Sequence, residues 1–189
     1  MHEHEDKIIE AAFDLTAEKK WKEITPNDIQ ERTGLKKHEI ARYISDRTDI
    51  LALYNKRLDS ALVKAIGEVD DSIPVKDRLF DVMMERFELM NKDRQALIPI
   101  IKSLDPDPVH IVSNMIRLHN SIVFMIELAG LKTSGLTGMV RQKGVKMIYL
   151  LTLRKWLEDE SEDLSATMAC LDQYLNRADQ LARSFMPGA

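Results

Sequence analysis

Apolar residues recur at helical spacing along most of the chain, and no segment alternates in the period-two pattern of a half-buried strand. Ile8, Ile9, Ala12, Phe13 and Leu15 mark the inner side of a first helix over about residues 4–20. A short second helix follows, with Thr25 as cap, Pro26 in its first position and Asp28 near the positive end of its dipole. Ile29 points inward, Gly34 supplies a tight turn and Leu35 fills the angle to a third short helix, whose inner side holds Ile40 and Ile44. Asp46 can cap a fourth helix over 47–66, on which Ile50, Leu51, Tyr54, Leu58, Leu62, Ala65 and Ile66 keep the helical period.

GEVDDSIP, at 67–74, has the Gly, acids and Pro of a boundary. Beyond it, Leu79, Val82, Met83, Arg86, Phe87 and Met90 line one side of a helix over 75–91. The following helix should be kinked or interrupted by Pro99, and Asp105-Pro106-Asp107-Pro108 reads as a turn. Residues 109–129 are apolar on most sides, which predicts a centrally buried helix closed by Gly130. Two helices finish the chain, over about 137–158 and 162–185, the last with Ser161 as a candidate cap.

Seven Gly and six Pro among 189 residues are few, which favours helix throughout. The net charge of −4 argues against a generally basic nucleic-acid binder. Its placement changes that picture: within 32–47, Arg32, Lys36, Lys37, Arg42 and Arg47 face only Glu39 and Asp46, and Lys19, Lys20 and Lys22 form a second cluster upstream. A solvated helix face is the plain alternative. The single cysteine, Cys170, excludes an internal disulfide framework, and the charged start MHEHEDK lacks the apolar run of a signal peptide. The expectation is a cytoplasmic protein with no stable membrane insertion.

The run GLKKHEIARYISDRTDILALY resembles the end of the DNA-binding domain of TetR-type transcriptional regulators. Gly34, Leu35, Lys37, Ile40, Tyr43, Asp49, Ile50 and Leu51 match that pattern, and Arg47 replaces its lysine. KIIEAAFDLTAEKKWKEITPNDIQERTG is similar to the family's first two helices. Ala41 stands where the family usually has a tyrosine touching the DNA backbone, while Lys36 replaces a capping Ser or Thr, His38 a small residue and Ile44 a Phe. The packing positions are kept and several DNA-facing ones are altered.

The resemblance implies an all-α, TetR-like fold of about nine helices. A three-helix helix-turn-helix domain would occupy 1–48, and a helical ligand-binding and dimerisation domain 49–189, linked by the helix over 47–66. Lys36, Lys37, His38, Arg42 and Tyr43 would face the major groove of a palindromic double-stranded operator, with Lys22, Thr25 and Arg47 on phosphates. Leu164, Met168, Leu171, Leu175, Ala178 and Ala182 form a heptad-like seam, and with Gly144, Met147 and Leu151 of the preceding helix they suggest a homodimer interface. Use of both faces inside one subunit is the alternative.

Met83, Arg86, Phe87, Met90, Met115, His119 and Ile122 are candidates for the site of a small apolar or amphipathic effector. The competing readings are methionine core filling, a satisfied core histidine at His119 and an ion-paired or snorkelling Arg86. RFELMNKDRQALIPIIKSLDPDP and KWLEDESEDLSATMACLDQYLNRADQLA, through Trp156, Asp159, Ser161, Asp163, Thr167 and Leu171, look like a TetR-fold branch common in alphaproteobacteria. They are also similar to TetR-fold ubiquinone-biosynthesis accessory proteins that bind lipid. The function implied is a ligand-controlled transcriptional regulator acting as a repressor; the alternative is a lipid- or isoprenoid-binding accessory protein that has lost DNA binding.

Catalysis has no support in the sequence. His110 and His119 fall on opposite faces of one helix, Cys170 has no histidine nearby, and the chain lacks a Gly-rich phosphate loop, GxSxG and HExxH. His2 and His4 lie near the N-terminus with Glu3 and Glu5 between and after them, a pattern open to adventitious metal binding but not expected to form a structural or catalytic site. No enzyme activity, cofactor or metal is expected.

Overall fold

The computed structural model describes residues 2–103 and 108–185, with side-chain surroundings for 3–103 and 115–184. Among the described residues there are nine α-helices and no strand: α1 His2–Leu15, α2 Pro26–Thr33, α3 Lys37–Ile40, α4 Arg47–Ile66, α5 Val75–Lys92, α6 Arg94–Lys102, α7 Pro108–Leu128, α8 Gly135–Glu158 and α9 Ser165–Phe185. A 3-10 turn at Trp21–Glu23 joins α1 to α2. The chain divides into two compact units, Met1–Ser60 with Met90–Arg117, and Ala61–Leu89 with Leu118–Ala189. The division passes through α4, α5 and α7.

The first unit closes over the residues whose spacing predicts it. Ile8, Ile9, Ala12 and Phe13 of α1 are buried with Trp21, Ile24, Ile29, Ile40, Ile44, Ile50, Tyr54, Leu97 and Ile100. The rings of Phe13 and Tyr54 lie 4.9 Å apart, and the Arg57 guanidinium sits 5.3 Å from the Tyr54 centroid. Arg57 also donates to Glu10 at 2.6 Å and to Asp93 at 3.2 Å, so one cation ties α4 to α1 and to the start of α6. Pro99 does not interrupt α6, which runs through it to Lys102. Its ring lies on the exposed side, and the helix forgoes one backbone donor there.

The second unit buries Leu79, Val82, Met83, Phe87, Ile122, Met125, Ile126, Val145, Tyr149, Trp156, Leu171 and Leu175. Phe87 and Tyr149 stack at 5.2 Å with an 18° interplanar angle. At Gly138 a Cβ would come within 2.2 Å of the Thr133 carbonyl oxygen, so only glycine lets the preceding loop fold onto α8. The central burial expected of 109–129 is corrected by the structure. Ser121, Ile122, Met125 and Ile126 of α7, and Ala129 just after it, are buried, but Met115 is 43% and Ile116 56% exposed. Apolar composition all round a helix does not by itself say how many neighbours cover it. The burial of 109–114, and the turn at Asp105, Pro106 and Asp107, lie outside the described residues.

The start of α9 also differs from the sequence expectation. The helix begins at Ser165, not at 162, and Ser161 does not cap it. Asp159, only 4% exposed, reaches forward: its Oδ2 accepts from the backbone N–H of Thr167 at 2.7 Å and the Thr167 hydroxyl at 2.6 Å. Its Oδ1 accepts from the Ser161 hydroxyl and, at 3.1 Å, from the Ser161 N–H. Burial works to raise the Asp159 pKa, but these four donors outweigh it and hold the carboxyl at about 2, against an ordinary 3.8. Because the folded pKa is depressed, this stabilisation is present above about pH 4 and fades as the pH falls towards 2. Asp159→Asn should therefore destabilise the chain by about 2 kcal/mol near neutrality. Urea midpoints should differ between the two proteins at pH 7 and converge as the pH drops below about 4. A constant gap across that range would show that the carboxylate charge contributes nothing.

Candidate nucleic-acid interface

The α2–α3 segment is built by local chemistry. Thr25 has extended backbone and caps α2: its Oγ1 accepts from the Asp28 N–H at 3.3 Å, while Asp28 Oδ2 accepts from the Thr25 N–H at 2.8 Å. This is a capping box with Asp in the returning position. Lys19 also binds the Asp28 carboxylate and, with Thr25, holds its pKa down at about 2. Gly34 ends α2 with φ at +69°, a left-handed conformation that a side chain would strain. The turn sets α3 against α2, with Ile29, Ile40 and Ile44 packed inward.

Lys36 precedes α3 with extended backbone, and its N–H donates to Glu39 Oε2 at 2.7 Å. A lysine has no acceptor to offer the first turn, so only half of a capping box forms where the resemblance expects Ser or Thr. The bond to the Lys36 backbone lowers the Glu39 pKa. Asp46 caps α4 by accepting from the Thr48 N–H at 2.6 Å, and Asp49 accepts from the Ser45 N–H at 2.7 Å. The α3–α4 connection is thereby pinned on both sides.

The structure places Lys22, Thr25, Lys36, Lys37, His38 and Arg42 on the exposed surface, with Tyr43 and Arg47 half-buried. The ring of Tyr43 meets that of His4 edge-on at 6.1 Å, which fixes the start of α1 beside the end of α3. Arg32 and Lys19, both in the basic clusters, are engaged by Glu18 and Asp28. Lys37 and Arg42 have no ion-pair partner among the described residues. Beside Lys37 lies a hollow of about 350 Å³, walled by Thr25, Asn27, Gln30 and Ser45 and floored by Ile40 and Ala41. The small side chain of Ala41 leaves it open.

No family model and no curated protein matches the chain. Solved structures do. A TetR transcriptional regulator from Nitrosomonas europaea ATCC 19718 aligns with a TM-score of 0.76 at 21% identity, over 94% of this chain and 98% of that one. A TetR transcriptional regulator from Rhodococcus sp. RHA1 aligns at 0.68 and 14%, over 91% and 93%. A putative TetR-family regulator from Syntrophomonas wolfei str. Goettingen aligns at 0.63 and 17%, over 99% and 98%. The chain has the TetR fold. In that fold the segment from Thr25 to Arg47 is the helix-turn-helix, and α8 with α9 close the C-terminal part.

Most of the expected effector residues are buried. Met83, Phe87 and Ile122 are fully buried in the second unit, with Arg86 among them at 2% exposure. The Arg86 Nη2 donates to Ser121 Oγ at 3.4 Å. Met90 is buried in the first unit. Met115 and His119 fall on the same side of α7 as Ile122 by helical spacing, but both are exposed in the single chain, so His119 is no core histidine.

The expected dimer residues also divide. Leu164, Leu171 and Leu175 are buried inside their own unit against α8, so they are corrected to core positions. Gly144, Met147, Met168, Ala178 and Ala182 are exposed, and Leu151 is half-buried. Sequence reasoning missed the companions of Met147: Leu136, Met139, Val140 and Leu150 share its exposed side of α8. Val145, Ile148, Tyr149, Thr152 and Trp156 fill the opposite side. Apolar residues on two opposed faces were the legible signal, since one core needs only one of them. Among the described residues no helix is long and apolar enough to cross a membrane.

Proposed function

We propose that the protein is a homodimeric DNA-binding transcriptional regulator, acting as a repressor under the control of a small apolar or amphipathic effector. The observation that carries this reading is the exposed α3 surface, where Lys37 and Arg42 stand uncompensated on a rigidly capped helix-turn-helix. Cations without internal partners on such an element are available to phosphates and base edges. A second copy packed on the exposed apolar side of α8 would present two such heads to a palindromic operator. Arg86, with Met83, Phe87 and Ile122 around it, supports an effector site in the second unit, where a buried cation would face the polar end of an amphipathic ligand. Regulation requires that this ligand bind one spacing of the heads better than the other.

The measurement is affinity of the purified protein for its own upstream DNA across a salt series. Sequence-dependent binding whose logarithm falls steeply with log salt supports the regulator. Lys36, His38 and Ala41, which depart from the DNA-facing pattern of TetR-type regulators, favour the second reading, a lipid- or isoprenoid-binding protein on the same fold. Indifference to DNA sequence, with lipid recovered from the purified protein, would establish that reading instead.

A further inference from the structure

A second basic feature lies beyond the α3 surface and shares only Lys22 with the expected phosphate contacts. A groove of about 890 Å³ in the first unit runs between the segment that follows α1 and the end of α6. Five charged side chains line it: Glu18, Lys19, Lys20, Lys22 and Lys102. Two of them are already neutralised, Lys19 by Asp28 and Glu18 by Arg32 at 2.6 Å. Lys20, Lys22 and Lys102 are exposed and have no ion-pair or hydrogen-bond partner among the described residues.

Lysines near helix ends often serve only to complement the dipole, and α1 and α6 do both end here, at Leu15 and Lys102. The magnitudes decide against that as the whole account. Two C-termini carry about half a negative charge each, so together they balance about one lysine. Roughly two positive charges remain uncompensated in one concavity. The hydroxyls of Thr16 and Ser103, also in the lining, donate to helical carbonyls and keep their lone pairs, so they do not add to the positive charge.

We propose that this groove binds a small anion bearing an oligophosphate chain, through Lys20, Lys22 and Lys102. Lysine is a compact point-charge ligand for phosphate, and an excess of about two cations matches a multivalent anion better than a monocarboxylate. The volume lies within the ordinary range for small-molecule sites, roughly 300–1,000 Å³, and leaves room beside the phosphates. Trp21 and Pro99 give part of the wall an apolar character suited to an attached organic group. The ligand would bridge α6 to the segment that leads into Thr25, the cap of α2. The site is separate from the α3 surface, and tripolyphosphate binding is read without DNA, so failure of this site and failure of the regulator reading are distinguishable.

The test is calorimetric titration of the full chain at low salt with sodium tripolyphosphate, with ATP and with adenosine. Saturable one-to-one binding of tripolyphosphate is expected, with Kd below about 1 mM. Lys102→Glu and Lys20→Gln should each weaken it, the former by about tenfold or more, whereas Lys64→Glu, an exposed cation on α4 outside the groove, should not. Circular dichroism of each variant checks that the helices persist. ATP binding tighter than tripolyphosphate identifies a nucleotide as the source, and equal affinity identifies the phosphate chain alone. No saturable binding, equal loss in Lys64→Glu and Lys102→Glu, or binding of adenosine alone overturns the proposal. So does a Lys102→Glu protein that keeps tripolyphosphate but loses DNA affinity, which would make the groove part of the DNA footprint.

Discussion

Replacing Lys37 and Arg42 together by alanine is expected to lower affinity for the upstream DNA by about a hundredfold or more at moderate salt. Both side chains are exposed on or beside α3 and have no ion-pair partner within the described chain, so their removal leaves the fold intact. What is lost is charge delivered to DNA. Each cation that displaces counterions contributes to the slope of log affinity against log salt, and the variant should bind along a visibly shallower line. Fluorescence anisotropy with a labelled upstream fragment, compared with a scrambled one, reads both quantities. An unchanged salt slope would mean that this surface does not meet phosphates, and the regulator reading would fail with it.

Met147→Glu is expected to convert a dimer into a monomer, halving the mass measured by light scattering. Met147 is 59% exposed on α8, and Met139, one of its neighbours on that side, is 55% exposed. In the single chain a carboxylate there meets only solvent, so the fold should hold. In a twofold pair each copy would carry the new charge into an apolar contact, where an unpartnered carboxylate costs several kcal/mol. DNA affinity should fall along with the mass, because two heads on one palindrome act through high effective concentration and one head does not. A variant that stays dimeric would place the interface elsewhere than α8.

How far the sequence carried depends on the range of the interactions involved. Thr25, Pro26, Asp28 and Gly34 specify α2 and its turn through contacts with residues at most a few positions away, so spacing and residue type were sufficient. Ile29, Ile40, Ile44 and Ile50 were legible as core because their period matches the helices that carry them. The same periodicity misled where a helix is apolar on more than one side. It set Met115 and His119 beside Ile122 although they are exposed and Ile122 is buried, and it set Leu164, Leu171 and Leu175 in one seam with Met168 and Ala178 although the three leucines are buried within their own unit. Period identifies a face and does not name the neighbour that covers it.

By itself the sequence determined the helical architecture, the helix-turn-helix and its caps, because those rest on backbone preferences and near-neighbour hydrogen bonds. Only the tertiary structure decided which charges are spent internally and which remain available. Lys19 and Arg32 look like Lys20 and Lys37 in sequence, yet Asp28 and Glu18 engage the first two and leave the others exposed. It also decided that Asp159, not Ser161, anchors the first turn of α9, and that Lys102 joins Lys20 and Lys22 across about 80 residues of chain. Electrostatic and packing partners of that kind are set by distance in space, which a linear spacing does not encode.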